Sequence, residues 1–128
     1  MGSRRKARIV AFQTIYSWDF SRSPLGDLLE FYWLDDEKKE SIGSETLDFA
    51  RLLVSGTIEN IEYIDETIKQ HLKNWDFSRL SRVDLAVLRM SVYSLLYQRE
   101  IPESVTIDEA IDIGKEFGTD DSYRFING

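Results

Sequence analysis

Residues 45–72 read ETLDFARLLVSGTIENIEYIDETIKQHL, and apolar side chains recur in this stretch at steps of three or four residues. That spacing places them on one face of an α-helix, and polar side chains fill the opposite face of the second half. The apolar residues are Leu47, Ala50, Val54, Ile58, Ile61, Ile64, Ile68 and Leu72. Gly56 either divides the stretch into two helices or lies inside a single one, at a cost of ~1 kcal/mol relative to alanine. The stretch therefore predicts a helical protein.

Helical patterns continue towards the amino terminus. The spacing predicts a first helix from Ser3 to Trp18 and a shorter one through Leu28 to Trp33, with a turn at 21–26 between them. The charged stretch 35–43 is predicted to be a solvated loop.

Three more helices are predicted towards the carboxyl terminus. Ser81, with Asp84 three residues later, forms a capping-box pattern in which the hydroxyl accepts a backbone N–H and the acid returns the bond. Thr106 and Glu109 repeat this pattern. A last, shortened helix is expected in 119–128. Together these patterns predict an all-α fold, a bundle of about six or seven helices.

The composition bounds the class of protein. The chain has 128 residues, of which 42% are hydrophobic, so we expect one domain spanning residues 1–128. No apolar run approaches the ~20 residues needed to span a bilayer. The absence of cysteine excludes disulfides, thiolate zinc sites and cysteine nucleophiles. The basic start lacks the serine richness of a transit peptide, so a cytoplasmic location is expected.

Charge is distributed unevenly along the chain. The whole chain carries −7, but residues 1–18 contain Arg4, Arg5, Lys6 and Arg8 and no acid, so the other 110 residues carry −11. Arg4 and Arg8 lie four residues apart and share a helix face, with Arg5 beside them. Such a basic segment either binds a polyanion or is only a solvated terminus.

The sequence contains little that points to catalysis. The only histidine, His71, is expected to be structural, and there is no hydrolase, phosphate-loop or dinucleotide motif. Acidic clusters at 35–37 and 120–121 lack the ligand spacing of a calcium loop. We therefore expect no enzymatic activity, no metal and no cofactor.

Binding of RNA has more support. Four cations on one short helix can neutralise phosphates, and Tyr16 lies two turns after Arg8. Its ring either packs in the core or stacks on an unpaired base. Because the acidic remainder disfavours wrapping a long duplex, the pattern favours a short single-stranded RNA.

Ten short motifs follow one another along the whole chain. They are RRKAR (4–8), QTIYSW (13–18), NW (74–75), RL (79–80), VD (83–84), AVLR (86–89), IP (101–102), VTIDEA (105–110), KEFG (115–118) and DSYRFING (121–128). In this order they resemble the NusB family of transcription antitermination factors. Members of that family usually continue for about another one or two helical turns.

The resemblance implies a bacterial RNA-binding adaptor of two helical sub-bundles without enzymatic activity. Members bind the boxA element of ribosomal RNA leaders together with NusE, a small-subunit ribosomal protein. They join RNA polymerase and other Nus factors and suppress premature termination. The implied partners are therefore boxA-type single-stranded RNA, NusE and that transcription complex, and a homodimer stays open.

The resemblance also implies roles for individual residues. Those implied to contact RNA are Arg4, Arg5, Lys6, Arg8, Tyr16, Asp121 and Phe125. Asp84 is implied to contact NusE, although helix capping would explain it equally well. Lys6 stands where many relatives have arginine, which weakens bidentate phosphate contact there.

Two alternatives remain at the level of sequence. One is a NusB-like domain separated from a ribosomal RNA cytosine methyltransferase. The other is a purely structural helical oligomer whose basic terminus binds nothing.

Overall fold

The computed structural model describes residues 2–71 and 80–118, and these ranges contain seven α-helices and no strand. The helices are α1 (Gly2–Ser21), α2 (Leu25–Leu28), α3 (Asp36–Ile42), α4 (Ser44–Glu59), α5 (Ile61–His71), α6 (Arg82–Tyr97) and α7 (Glu103–Phe117). The predicted all-α class and number of helices are confirmed. None of the described helices is long and apolar enough to cross a membrane.

The helices pack in two groups around one continuous core. In the first group α1 and α3 pack on α4, and in the second α5 and α7 pack on α6. Helices α1 and α4 also pack on α6, so apolar side chains from both groups meet. Ile15, Leu53, Ile64, Val87 and Ile113 are each at most 2% exposed in this core. The amino-terminal half of α1 is therefore part of the folded body.

The charged stretch 35–43 is a helix, so the predicted solvated loop is wrong. Asp35 is the N-cap of α3, and its carboxylate accepts a hydrogen bond of 2.7 Å from the Lys38 backbone N–H. Acids in the first turn and Lys39 in the last turn match the helix dipole. Gly43 ends the helix with φ of 96°, a backbone conformation that glycine adopts at little cost. Capping and charge therefore form this helix, which buries none of its residues.

The described part of the stretch 45–72, residues 45–71, forms two helices, and the division lies at Asn60. The Asn60 side chain donates a hydrogen bond of 2.8 Å to the Gly56 carbonyl, which lies within α4. A Cβ at Gly56 would overlap the buried ring of Tyr93. Glycine at this position therefore allows α4 and α6 to approach closely.

The helix predicted through Leu28 to Trp33 is wrong beyond its first residue, because the single turn α2 ends at Leu28. Phe31 has φ of 51° and is fully buried. Arg51 lies over the Phe31 ring, at 5.3 Å from its centroid, and donates a hydrogen bond of 2.9 Å to the Leu29 carbonyl. Insertion of Phe31 into the core thus turns the chain out of the helix and leaves Trp33 half exposed.

Candidate nucleic-acid interface

The basic residues of α1 point in different directions around the helix. Arg4 is exposed and its guanidinium lies 4.1 Å from the centroid of the Phe49 ring on α4. Arg5 and Arg8 face the acids of α7. Lys6 is exposed on a third side and has no ion-pair partner among the residues that the structure describes. The cluster predicted from sequence is therefore divided among three faces.

Arg5 is held at the surface by two carboxylates of α7. Its Nη2 lies 2.7 Å from Glu109 Oε2 and 2.7 Å from Asp112 Oδ2, and its Nε donates to Glu109 at 3.0 Å. Hydrogen bonding to Glu109 and the charges of both acids raise the pKa of Arg5. The Arg5 side chain is still 51% exposed, so an incoming phosphate can reach it.

Arg8 lies beneath this surface. Its side chain is 6% exposed, its Nη1 is 3.5 Å from Glu109 Oε1, and the Phe49 ring centroid is 5.7 Å from its guanidinium carbon. Burial lowers the pKa of Arg8, Glu109 opposes that shift, and the charges of Arg4 and Arg5 add to it. Arg8 thus joins α1 to α7 and places its positive charge just behind the exposed cations.

A cleft opens on the side of α1 that carries Lys6. Its volume is about 330 Å³, and besides aliphatic side chains it is lined by Lys6, Gln13, Trp33, Lys38, Glu116 and Phe117. We call this opening the Trp33 cleft. Three elements form it, namely α1, the segment from Trp33 into α3, and the end of α7.

Tyr16 lies further along the same side of α1. Residues 6, 9, 13 and 16 are spaced three or four apart, so they share one helix face. The Tyr16 ring is half-buried, with its centroid 6.5 Å from the Phe12 centroid and 5.1 Å from that of the exposed Phe20. One side of the ring packs against the core, and the rest stays accessible.

Asp84 is placed in the first turn of α6 by Ser81. The Ser81 hydroxyl accepts a hydrogen bond of 3.0 Å from the Asp84 N–H, which confirms the predicted N-cap. Asp84 itself is 1% exposed, and its Oδ1 has no hydrogen-bond partner in the described ranges. The structure thus contains the serine half of the predicted capping box, and it buries the acid that the resemblance assigned to NusE.

Of three other predicted positions, Asp121 and Phe125 lie outside the described residues. His71 is exposed, and its Nδ1 lies 2.9 Å from the Thr67 carbonyl. Within 2–71 and 80–118 no three His, Cys, Asp or Glu side chains are grouped so that they could hold a metal ion.

A buried ion-pair network was not evident from the sequence. Arg89 of α6 binds Asp65 of α5 through Nε and Nη2, both at 2.8 Å, and Asp19 of α1 through Nη1 at 3.3 Å. Arg82 adds a bond of 2.6 Å to Asp19. Burial acts to raise the pKa of Asp19, but the two arginines outweigh it and hold that pKa below its usual value. The network fastens the end of α1 to α5 and α6, and only the tertiary fold brings its members together.

Comparisons with known proteins agree over nearly the whole chain. Residues 5–128 match the sequence model of the NusB family. The transcription antitermination protein NusB of Treponema denticola is 48% identical, over 97% of this chain and 90% of that protein. The NusB structure from T. maritima has a TM-score of 0.85 and 38% identity, covering 98% of this chain and 85% of that one. A structure of the antitermination factors NusB and NusE in complex with double-stranded RNA has a TM-score of 0.82 and 26% identity, covering 100% and 92%.

Proposed function

Because the chain belongs to the NusB family, we propose that it is an antitermination factor that binds RNA, together with NusE, through the exposed side chains at the start of α1. The T. denticola relative is named as an antitermination protein and not as an enzyme, in agreement with the lack of catalytic motifs. The structure of NusB and NusE with RNA supports both partners by analogy.

The observation that carries the proposal is the exposure of Arg4, Arg5 and Lys6 on the first two turns of a fixed helix. They belong to residues 1–18, which contain no acid, whereas the other 110 residues carry a net charge of −11, so this segment is the most favourable place for phosphates. Arg8 supports this surface from beneath, and Tyr16 offers part of a ring further along the helix. We propose that Asp121 and Phe125 extend the same surface, as the family resemblance implies.

We further propose that the RNA is a boxA-type single strand of ribosomal RNA transcripts and that the complex acts with RNA polymerase and other Nus factors in the cytoplasm. Partly exposed tyrosine and tryptophan rings favour unpaired bases, which a duplex does not offer. The complex of NusB and NusE was crystallised with double-stranded RNA. Binding measurements should therefore include both a single-stranded boxA-type RNA and its duplex.

NusE is proposed to bind at the start of α6. Asp84 is buried there, whereas Ser81 and Arg82 beside it are exposed. Asp84→Asn should weaken capture of NusE if the carboxylate turns outward in the complex, and an unchanged affinity would remove Asp84 from the interface. Arg4→Ala should leave NusE binding intact. A substitution is used instead of truncation because Ala7 and Arg8 are buried, so truncation would damage the core.

A salt series of RNA affinities tests the RNA surface. Counterion release gives a slope of about −0.7 per phosphate contact on a single strand, hence about −2 for three exposed cations. Arg4→Ala should weaken binding and flatten the slope by up to ~0.7. Arg99→Ala is the control, because Arg99 is exposed beyond the end of α6 and far along the chain from α1. Equal affinity and slope for Arg4→Ala and the wild type would refute the surface.

A further inference from the structure

We propose that the Trp33 cleft is a nucleotide pocket, in which an unpaired RNA base stacks on Trp33 while its phosphates lie between Lys6 and Lys38. This inference rests on the proposed function, because it assigns a second part of the same RNA surface. It adds two residues, Trp33 and Lys38, to which neither the motifs nor the family resemblance assigned a role.

The first argument is the position of the Trp33 ring. Its neighbour Leu34 is 8% exposed, and the Leu34 N–H donates a hydrogen bond of 2.9 Å to the carbonyl of the fully buried Phe31. The backbone on this side of Trp33 is therefore anchored to the core. Trp33 itself is nevertheless 51% exposed, and it lines the cleft. A large aromatic side chain that is carried by anchored backbone and remains accessible to solvent suits base stacking.

The second argument is charge. The side chains that line the cleft include two lysines and one acid, Glu116, so the opening carries about +1 in a chain of −7. Neither lysine has an ion-pair partner in the part of the chain that the structure describes, whereas Arg5 is engaged by Glu109. Two lysines that line the same cleft as an aromatic side chain suit a base with its phosphates better than an apolar ligand.

The third argument is continuity with the proposed RNA surface. Lys6 belongs both to the basic cluster of α1 and to the wall of the cleft. Gln13, two helical turns further along the same face, also lines the cleft, and Tyr16 follows at the next turn. A strand bound by the arginines can therefore pass Lys6 and place a base in the cleft without leaving α1. The volume of about 330 Å³ lies within the range of small-ligand sites.

The experiment measures binding of a short fluorescein-labelled boxA-type RNA by anisotropy, with folding of each variant checked by circular dichroism. Trp33→Ala should weaken binding about 5- to 150-fold with an unchanged salt slope, because stacking is not an ionic interaction. Trp33→Phe should retain most of the affinity. Tyr32→Ala is the matched control, since Tyr32 is the adjacent residue, is 75% exposed and does not line the cleft.

The lysines are tested in the same way. Lys38→Ala should weaken binding and flatten the salt slope by up to ~0.7, and Lys39→Ala, its neighbour outside the cleft, should have a smaller effect. The duplex of the same RNA should be insensitive to Trp33→Ala because its bases are already stacked.

The outcomes separate this inference from the proposed function. If Arg4→Ala weakens binding and Trp33→Ala does not, the RNA surface stands and the pocket is refuted. Equal losses for Trp33→Ala and Tyr32→Ala, or equal losses on single strand and duplex, also refute the pocket. If neither Arg4→Ala nor Trp33→Ala affects binding, the proposed function itself fails.

Discussion

Arg89 is a buried cation that joins α6 to α5 and α1, and Asp65→Ala would remove its main partner. The Arg89 side chain is 5% exposed and makes two hydrogen bonds of 2.8 Å with the Asp65 carboxylate. Asp19 lies further away, at 3.3 Å from Arg89 Nη1. After the substitution Arg89 would keep only this longer bond and its position over the Trp18 ring, whose centroid is 5.8 Å from the guanidinium carbon.

The expected loss follows from this geometry. Removal of one member of a buried ion pair typically costs ~3–5 kcal/mol, because the other charge stays buried without compensation. Since Asp19 still faces Arg89, we expect the lower end of that range, about 3 kcal/mol in the free energy of unfolding. For a chain of this length the melting temperature should fall by about 10–15 °C. Urea denaturation followed by circular dichroism measures the free energy directly.

A surface pair of the same chemistry supplies the control. Asp48 bonds Arg51 at 2.8 Å on α4, but the Asp48 side chain is 72% exposed. Asp48→Ala should therefore cost only ~0–1 kcal/mol. A double-mutant cycle with Asp65→Ala and Arg89→Met should give a coupling energy of at least ~1.5 kcal/mol. A loss for Asp65→Ala no larger than for Asp48→Ala, or additive effects in the cycle, would refute the reasoning.

Three further predictions concern pH, packing and capping. Because its neighbouring arginines hold the pKa of Asp19 below its usual value near 3.8, the stability that this acid contributes is present above that value and is lost as the pH falls further. Urea unfolding at a series of pH values should show this acid-side loss in the wild type and a flatter profile in Asp19→Asn. Gly56→Ala should lower the free energy of unfolding by ~1–2 kcal/mol, since overlap of the new Cβ with Tyr93 outweighs the gain in helix propensity. Gly26→Ala is the control and should not destabilise the protein, because a Cβ at that position meets no atom within 4 Å. Equal free energies of unfolding for the two glycine variants would show that the close approach of α4 and α6 does not require glycine at position 56. Ser81→Ala should cost ~0.5–2 kcal/mol in thermal melts, and an unchanged melting temperature would contradict the capping role.

Local signals in the sequence predicted the long helices because each carries its own periodicity or cap, but the predicted cap at Thr106 is wrong, since α7 already begins at Glu103. The Ser81 cap and the apolar face of 45–72 needed no knowledge of the tertiary structure. The helix over 36–42 was also within reach, because Asp35 and the following acids are start signals and Gly43 is a stop signal. The high charge of this stretch is equally typical of a solvated loop, which is why the sequence alone predicts one. The division of 45–72 at Asn60 has a weaker signal, an asparagine in place of the expected glycine.

The arrangement of the candidate site could be predicted only in part. Sequence identified four cations on one helix, and their unequal roles follow from acids about a hundred residues away. Glu109 and Asp112 occupy Arg5, bury Arg8 beside them and leave Lys6 free to face the Trp33 cleft. Such long-range pairing has no counterpart in local periodicity.

The acids of α7 therefore position the cations of α1. The carboxylates of α7 hold the Arg5 guanidinium at the surface. In the proposed complex a phosphate that replaces them would therefore meet a guanidinium that is already oriented. Asp112 is 47% exposed, so it would become hydrated at little cost when a phosphate replaces it, whereas Glu109 is only 15% exposed and would keep Arg8 as its partner. Arg8 stays behind with Glu109 and keeps the helix in place during the exchange. On this view the −11 carried by the rest of the chain does not exclude RNA. We propose that it directs RNA towards the start of α1, where Arg4, Arg5 and Lys6 are exposed.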